Sequence, residues 1–158
     1  MANKMLTKLE ILEEEARRSD IQLNNFALVG ARKAASVHDG DFKSIAIDRQ
    51  KLASKAEEGA LLAEEIGHFE TKGLFIMEAD ANSAFSRANR GKQEAKARHW
   101  AYLSYVGPQE VQRAIEWCGR DEAMIAEYCQ VPLAFLQEAL EYYRTQGIEF
   151  RFYDGGDA

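Results

Sequence analysis

In Leu61-Leu62-Ala63-Glu64-Glu65-Ile66-Gly67-His68-Phe69, two carboxylates and an imidazole fall at spacings that suit metal-assisted hydrolysis. A helix advances about 100° per residue, so Glu64 and His68, four apart, stand about 40° apart on one face. Leu62, Ile66 and Phe69 gather on the opposite side. This helix is expected to bury an apolar face and to present a carboxylate beside an imidazole, with Glu65 on the flank next to both. The layout is that of the H-E-x-x-H zinc helix with its first position changed. In that helix two ligands at i and i+4 grip the ion, and the adjacent Glu takes a proton from the attacking water. Position i is Glu64 here, and a carboxylate can also coordinate zinc.

A third ligand has to come from another element. Glu94 is the best candidate, in Lys92-Gln93-Glu94-Ala95-Lys96-Ala97-Arg98-His99-Trp100-Ala101-Tyr102. Ala97 and Ala101 lie on the helical face of Glu94, at i+3 and i+7. Small residues there let this helix approach a neighbour closely, so that a short carboxylate can reach an ion held across the gap. Trp100, on a different face, can anchor the helix in the core. His99 and Tyr102 are possible auxiliary groups that would polarise a carbonyl. His38, in the expected turn His38-Asp39-Gly40-Asp41, is a remote replacement ligand.

Each of these residues alone has an ordinary reading. Acidic pairs are common on solvated helix faces, a histidine suits a helix end, and Glu94 can pair with Arg98 at i+4. Their joint order and spacing favours an ion site. At this point the chain resembles the ImmA/IrrE-type metallopeptidases of phages and integrative elements. Those proteins show an H-E-x-G-H helix followed by a helix of pattern E-x-x-A-x-x-F-A. This chain reads Glu64-Glu65-Ile66-Gly67-His68, then Glu94-x-x-Ala97-x-x-Trp100-Ala101. The resemblance spans roughly residues 40–145 and includes the run from Ile125 to Tyr143.

The resemblance implies a zincin-like fold and a metallo-endopeptidase, with Glu65 as catalytic base and Glu64, His68 and Glu94 as ligands of Zn²⁺ or another divalent ion. It also implies a protein substrate, a phage-type helix-turn-helix repressor. Glu64 stands where the family usually has its first histidine. Two His and one Glu leave a zinc site near a charge of about +1, whereas one His and two Glu bring it to about zero. A less positive site acidifies water less and favours harder ions somewhat more. Weak or conditional proteolysis, or a different metal, is the expectation. A non-catalytic antirepressor of the same fold, with a degenerate metal site, is the alternative.

The elements that must position these residues can be read from periodicity. Met5, Leu9, Leu12 and Ala16 form a helical stripe over residues 4–18. Residues 21–29 suit a strand or extended arm, and Ser44-Ile45-Ala46-Ile47-Asp48 a strand. Residues 51–69, free of proline and rich in Ala, Leu, Glu and Lys, predict the first site helix. Residues 70–90 look loop-like, and 91–105 form the second site helix, ended by Gly107-Pro108. The last third carries three helical stripes: Val111, Ala114, Ile115 and Cys118; Met124, Ile125 and Tyr128; and Leu133, Leu136, Ala139, Leu140 and Tyr143. Ile148-Glu149-Phe150-Arg151-Phe152 suggests a final short strand. The expected fold is α+β and mainly helical, a single domain over 1–158. It comprises an N-terminal helix and small sheet (1–50), the site helices (51–105) and a C-terminal helical bundle (108–146).

Composition narrows the function classes. The chain has 158 residues, enough for one domain with a sizeable core. Its formal net charge of −6 argues against direct nucleic-acid binding, which needs clustered Lys and Arg. The second helix of a helix-turn-helix-like pair near the C-terminus carries Glu138 and Glu141, with Arg144 only near its end, so a structural or docking role is preferred. No apolar run approaches the roughly 20 residues that span a bilayer, and nothing resembles a signal peptide. Cys118 and Cys129 are too few for a disulfide framework and lack C-x-x-C spacing. They are expected to be reduced core thiols in a cytoplasmic protein.

Overall fold

The computed structural model describes residues 5–71 and 84–152. It is α+β and mainly helical, with a three-stranded sheet and, among the described residues, six α-helices. In chain order these are α1 (Lys8–Arg18), β1 (Ile21–Asn25), β2 (Ala34–Asp39), β3 (Phe42–Ile47), α2 (Lys55–Glu70), α3 (Ala84–Tyr105), α4 (Pro108–Cys118), α5 (Glu122–Tyr128) and α6 (Leu133–Thr145). The chain forms two compact units, Met1–Ala101 and Tyr102–Ala158, and the divide falls inside α3. No helix among the described residues is long and apolar enough to cross a membrane.

In the first unit, Thr7 caps α1 through a capping box. Its hydroxyl accepts from the Glu10 amide at 3.2 Å, and the Glu10 carboxylate accepts from the Thr7 amide at 2.8 Å. This start lies later than the periodicity suggested, and Met5 is exposed. Leu12 and Ala16 are buried as expected. The sheet runs β1-β3-β2, with β1 parallel and β2 antiparallel to β3. As the central strand, β3 buries Ser44, Ile45, Ala46 and Ile47 in succession. His38, expected in a turn, instead lies on β2. The reversal is tighter than the polar run implied: Asp39 pairs with Phe42, so Gly40 and Asp41 make the turn, with Gly40 at φ +57°.

The approach to α2 is the most heavily bonded part of this unit. A 3-10 turn (Arg49–Lys51) precedes Ser54, whose hydroxyl caps α2 by accepting from the Glu57 amide at 3.1 Å. The helix therefore begins at Lys55, not at residue 51. Glu58 is 2% exposed, accepting from Arg49 Nε at 2.7 Å and from Lys55 Nζ at 2.8 Å. Burial alone would raise its carboxyl pKa, but these two cations outweigh burial and hold it below the ordinary value. Lys33 likewise depresses Glu57, and the Leu28 amide depresses Asp48.

A depressed carboxyl contributes stability above its unfolded pKa and loses it as pH falls through the folded value. With ordinary values of 3.8 for Asp48 and 4.5 for the two glutamates, stability is expected to fall as pH drops below 4.5. Glu58→Gln should cost about 2 kcal/mol at neutral pH, because a buried acceptor is lost while its exposed partners re-solvate. It should also shallow the acid loss. Melting curves of both proteins between pH 3 and 7 check this, and parallel curves would refute it.

In the second unit, Pro108 opens α4 and Asp121 caps α5, accepting from the Ala123 and Met124 amides at 3.0 and 3.1 Å. Val111, Ala114, Ile115, Ile125, Leu136, Ala139 and Tyr143 form its core. Met124, Tyr128 and Leu133, expected in apolar stripes, are exposed. A seven-residue helix has room for one narrow buried stripe, and in α5 that stripe is Ile125 and Ala126, continued by Cys129. Cys118 and Cys129 are both free thiols, and Cys129 is buried. Residues 148–152 do not form the expected strand. The side-chain amide of Gln112 stands in for a strand partner, donating to the Arg151 carbonyl and accepting from its amide, both at 2.9 Å.

Buried Tyr143 donates its hydroxyl to the carbonyls of Tyr102 at 2.8 Å and Val106 at 2.9 Å, closing the end of α3. Burial raises this phenol far above its ordinary pKa, so it stays a donor. Tyr143→Phe should cost about 2 kcal/mol by stranding two carbonyls, which a denaturant titration reads directly. A change below about 0.5 kcal/mol would show that they find other partners.

Candidate metal centre

Helix α2 packs against β2, β3 and α1. Its buried residues include Leu62, Ala63, Ile66, Gly67 and His68, while Glu64 and Glu65 are half-buried. The apolar face anticipated from Leu62 and Ile66 is therefore present, and Phe69 is half-buried at its edge. Gly67 explains how α3 comes close. A Cβ built there would lie 2.5 Å from the Ala97 carbonyl oxygen and 3.1 Å from the Ala97 Cα. Ala97 is 1% exposed, so the two backbones are in direct contact through a glycine of α2 and an alanine of α3. The small-residue face of α3 thus has its counterpart in a glycine of α2.

This contact brings His68 and Glu94 together. His68 Nε2 stands 3.5 Å from Glu94 Oε2, with the imidazole nearly buried and the carboxylate half-exposed. That separation exceeds the roughly 2.7–2.9 Å of a strong charged hydrogen bond. It is close to the edge of a zinc tetrahedron, about 3.3 Å for bonds of about 2.0–2.1 Å. As a donor pair, the two fit a shared divalent ion.

Glu65 lies beside them. Burial pushes its carboxyl above the ordinary value of 4.5, and Glu94 pushes the same way. A hydrogen bond from Ser36 on β2 and the charges of His68 and Arg32 pull it down, and burial prevails. A carboxyl raised above its ordinary value is a stronger proton acceptor than an exposed one.

The other expected residues fall as follows. Glu64 is half-buried one helical turn before His68. Among the described residues, no three His, Cys, Asp or Glu side chains are gathered closely enough to hold an ion. His99 is exposed, about 140° around α3 from Glu94. The Tyr102 hydroxyl donates to Glu138 at 2.8 Å. His38 is exposed on β2 with its ring edge-on to Phe69, centroids 5.9 Å apart.

Ser36 and Arg32 were not anticipated, since neither belongs to a motif. In the sequence Gly67 stands only as one letter of the motif. Its signal was energetic: a mid-helix glycine costs about 1 kcal/mol against alanine and asks for a packing reason. Helix α3 also begins at Ala84, earlier than the expected 91, and residues 72–83 of the expected loop lie outside the described residues. No protein-family model, curated protein or solved structure matches this chain.

Proposed function

We propose that this chain is a zincin-like metal-dependent endopeptidase of the ImmA/IrrE type, acting in the cytoplasm on a phage-type helix-turn-helix repressor. The observation that carries the reading is the approach of His68 on α2 to Glu94 on α3, at 3.5 Å, beside the raised carboxyl of Glu65. His68 and Glu94 would hold the ion, with Glu64 completing the set. Zn²⁺, or another divalent ion, would polarise the scissile carbonyl and acidify the attacking water. Glu65 takes the proton of that water on its carboxylate and passes it to the leaving amine. Ser36 orients that carboxylate.

A second reading keeps the fold and drops the chemistry. It makes the chain an antirepressor that binds the repressor without cutting it. The lack of three gathered ligands among the described residues favours it; a raised Glu65 beside the pair favours hydrolysis, since binding has no need of a base.

Incubating the protein with phage-type helix-turn-helix repressors, with Zn²⁺ or with chelator, separates the two. The peptidase reading expects fragments that chelator abolishes, and an ion bound at one per chain that His68→Ala loses. A stable complex without fragments selects the antirepressor. Neither fragments nor complex overturns both.

A further inference from the structure

The sheet ends on β1, and that edge is open. Strand order β1-β3-β2 leaves β1 bonded on one side only. Among the described residues, its backbone makes no hydrogen bond outside the ladder to β3. A strand bonded on one side turns about half of its N–H and C=O groups outward, where they can pair with another strand. A groove of about 680 Å³ lies along it, lined by residues 20–24 in unbroken succession and by Glu13, Arg17 and Arg49. Successive strand residues point to opposite faces, so a groove that touches every one of them follows the edge itself.

Charge sets what fits there. The groove's charged walls already pair within the chain: Arg17 with Glu14 at 3.1 Å, and Arg49 with Glu58 at 2.7 Å and Glu13 at 3.7 Å. The strand itself, Ile21-Gln22-Leu23-Asn24-Asn25, carries no charge. It also lacks the devices that usually blunt an edge, having no lysine, no proline and, in its unbroken register with β3, no bulge. Ile21 is buried and Leu23 half-buried, while Gln22 and Asn24 are exposed on the other face. The matching occupant is a neutral strand with apolar residues on one face and amides on the other. β1 of a second copy is such a strand.

We infer that β1 is a self-association edge. Two copies pair β1 with β1, antiparallel about a two-fold axis, and join two three-stranded sheets into one of six strands. The side chains fix the register. Residues directly opposite share a face, so odd positions must stand against odd to keep Ile21 and Leu23 on the core side. The register that pairs all five residues puts the axis at Leu23. Leu23 then faces the partner's Leu23, and Gln22 faces the partner's Asn24, amide against amide. The two-fold makes that amide contact twice and closes the assembly at a dimer. β2, with the Ser36 that bonds Glu65, becomes the outer edge of each half, so pairing leaves that edge free.

Sedimentation equilibrium of the full chain tests this. As concentration rises to about 100 µM, enough to populate a small strand interface, the wild-type mass should climb from 17.8 kDa toward twice that. Two double variants then read the register. Gln22→Lys with Asn24→Lys sets like charges opposite each other twice across the axis, and should weaken dimerisation about tenfold. Gln22→Glu with Asn24→Lys sets opposite charges there, and should dimerise at least as tightly as the wild type. Both variants lose the 2.9 Å bond from Asn24 to Ser44, and both change exposed positions. Their difference therefore reports the pairing alone.

A wild-type mass fixed at one chain overturns the inference, whether the edge stays open or another extended segment takes it. Two variants that dimerise equally also overturn it, since an interface elsewhere on the chain would not distinguish them.

Discussion

Gly67→Ala is expected to destabilise the protein by about 2 kcal/mol and to abolish ion binding at the same time. The two effects have one cause. The new methyl would stand 2.5 Å from the Ala97 carbonyl oxygen, a backbone atom that no rotamer change can move. Relief requires α2 and α3 to separate. Overpacking of this kind costs about 1–3 kcal/mol, and loosening the buried contact adds to it. Better helix propensity returns only about 1 kcal/mol, so the steric term wins. His68 adjoins Gly67 in sequence and Glu94 lies one turn before Ala97. Moving the helices apart therefore lengthens the 3.5 Å separation of the donor pair. Thermal melts and zinc titration of the two proteins test this together. A variant that melts at or above the wild-type temperature and still binds zinc would show that the close approach does not organise the pair.

How far the sequence reaches into this site follows from how local each part is. Glu64, Glu65 and His68 share one helix, and a 3.6-residue period places them without knowledge of anything else. Glu94 needed a second inference, that Ala97 and Ala101 mark a close helix contact, and their near-complete burial agrees. Ser36 comes to Glu65 only because the β2–β3 hairpin lies against α2, a non-local placement for which a lone serine carries no signal.

The same distinction explains the errors in the fold. Ile148 to Phe152 alternates as a strand should, but a strand also needs a partner, and the partner is the single side chain of Gln112. Ser86 and Asn89 belong to the stretch 70–90 that reads as loop, yet α3 runs through them. Gly91 there has open space around its Cβ position, so helix continuity is set by the flanking turns and not by local propensity. Met124 and Tyr128 obey a helical period that α5 is too short to use.

Glu65→Gln offers the sharpest separation of folding from function. The amide keeps the shape of the carboxyl and cannot accept the proton of the attacking water. Loss of a positioned general base lowers turnover by about 10²–10⁴-fold, so repressor cleavage should fall by about 10³-fold. Stability should move the other way. A carboxyl whose folded pKa lies above its unfolded value favours folding only while protonated, and that contribution disappears as pH rises through the folded value. Glu65 is such a group, raised chiefly by burial. In chelator at neutral pH the wild type carries the cost of this buried charge, and the glutamine variant does not.

The variant should therefore melt slightly above the wild type near pH 7, and the gap should close as pH falls toward 4.5, the ordinary value. A Glu65→Gln protein that melts lower than the wild type at pH 7, or that still cuts at the wild-type rate, would remove Glu65 from the role of base. Lower activity joined to higher stability is the signature of a group kept for chemistry at the expense of the fold.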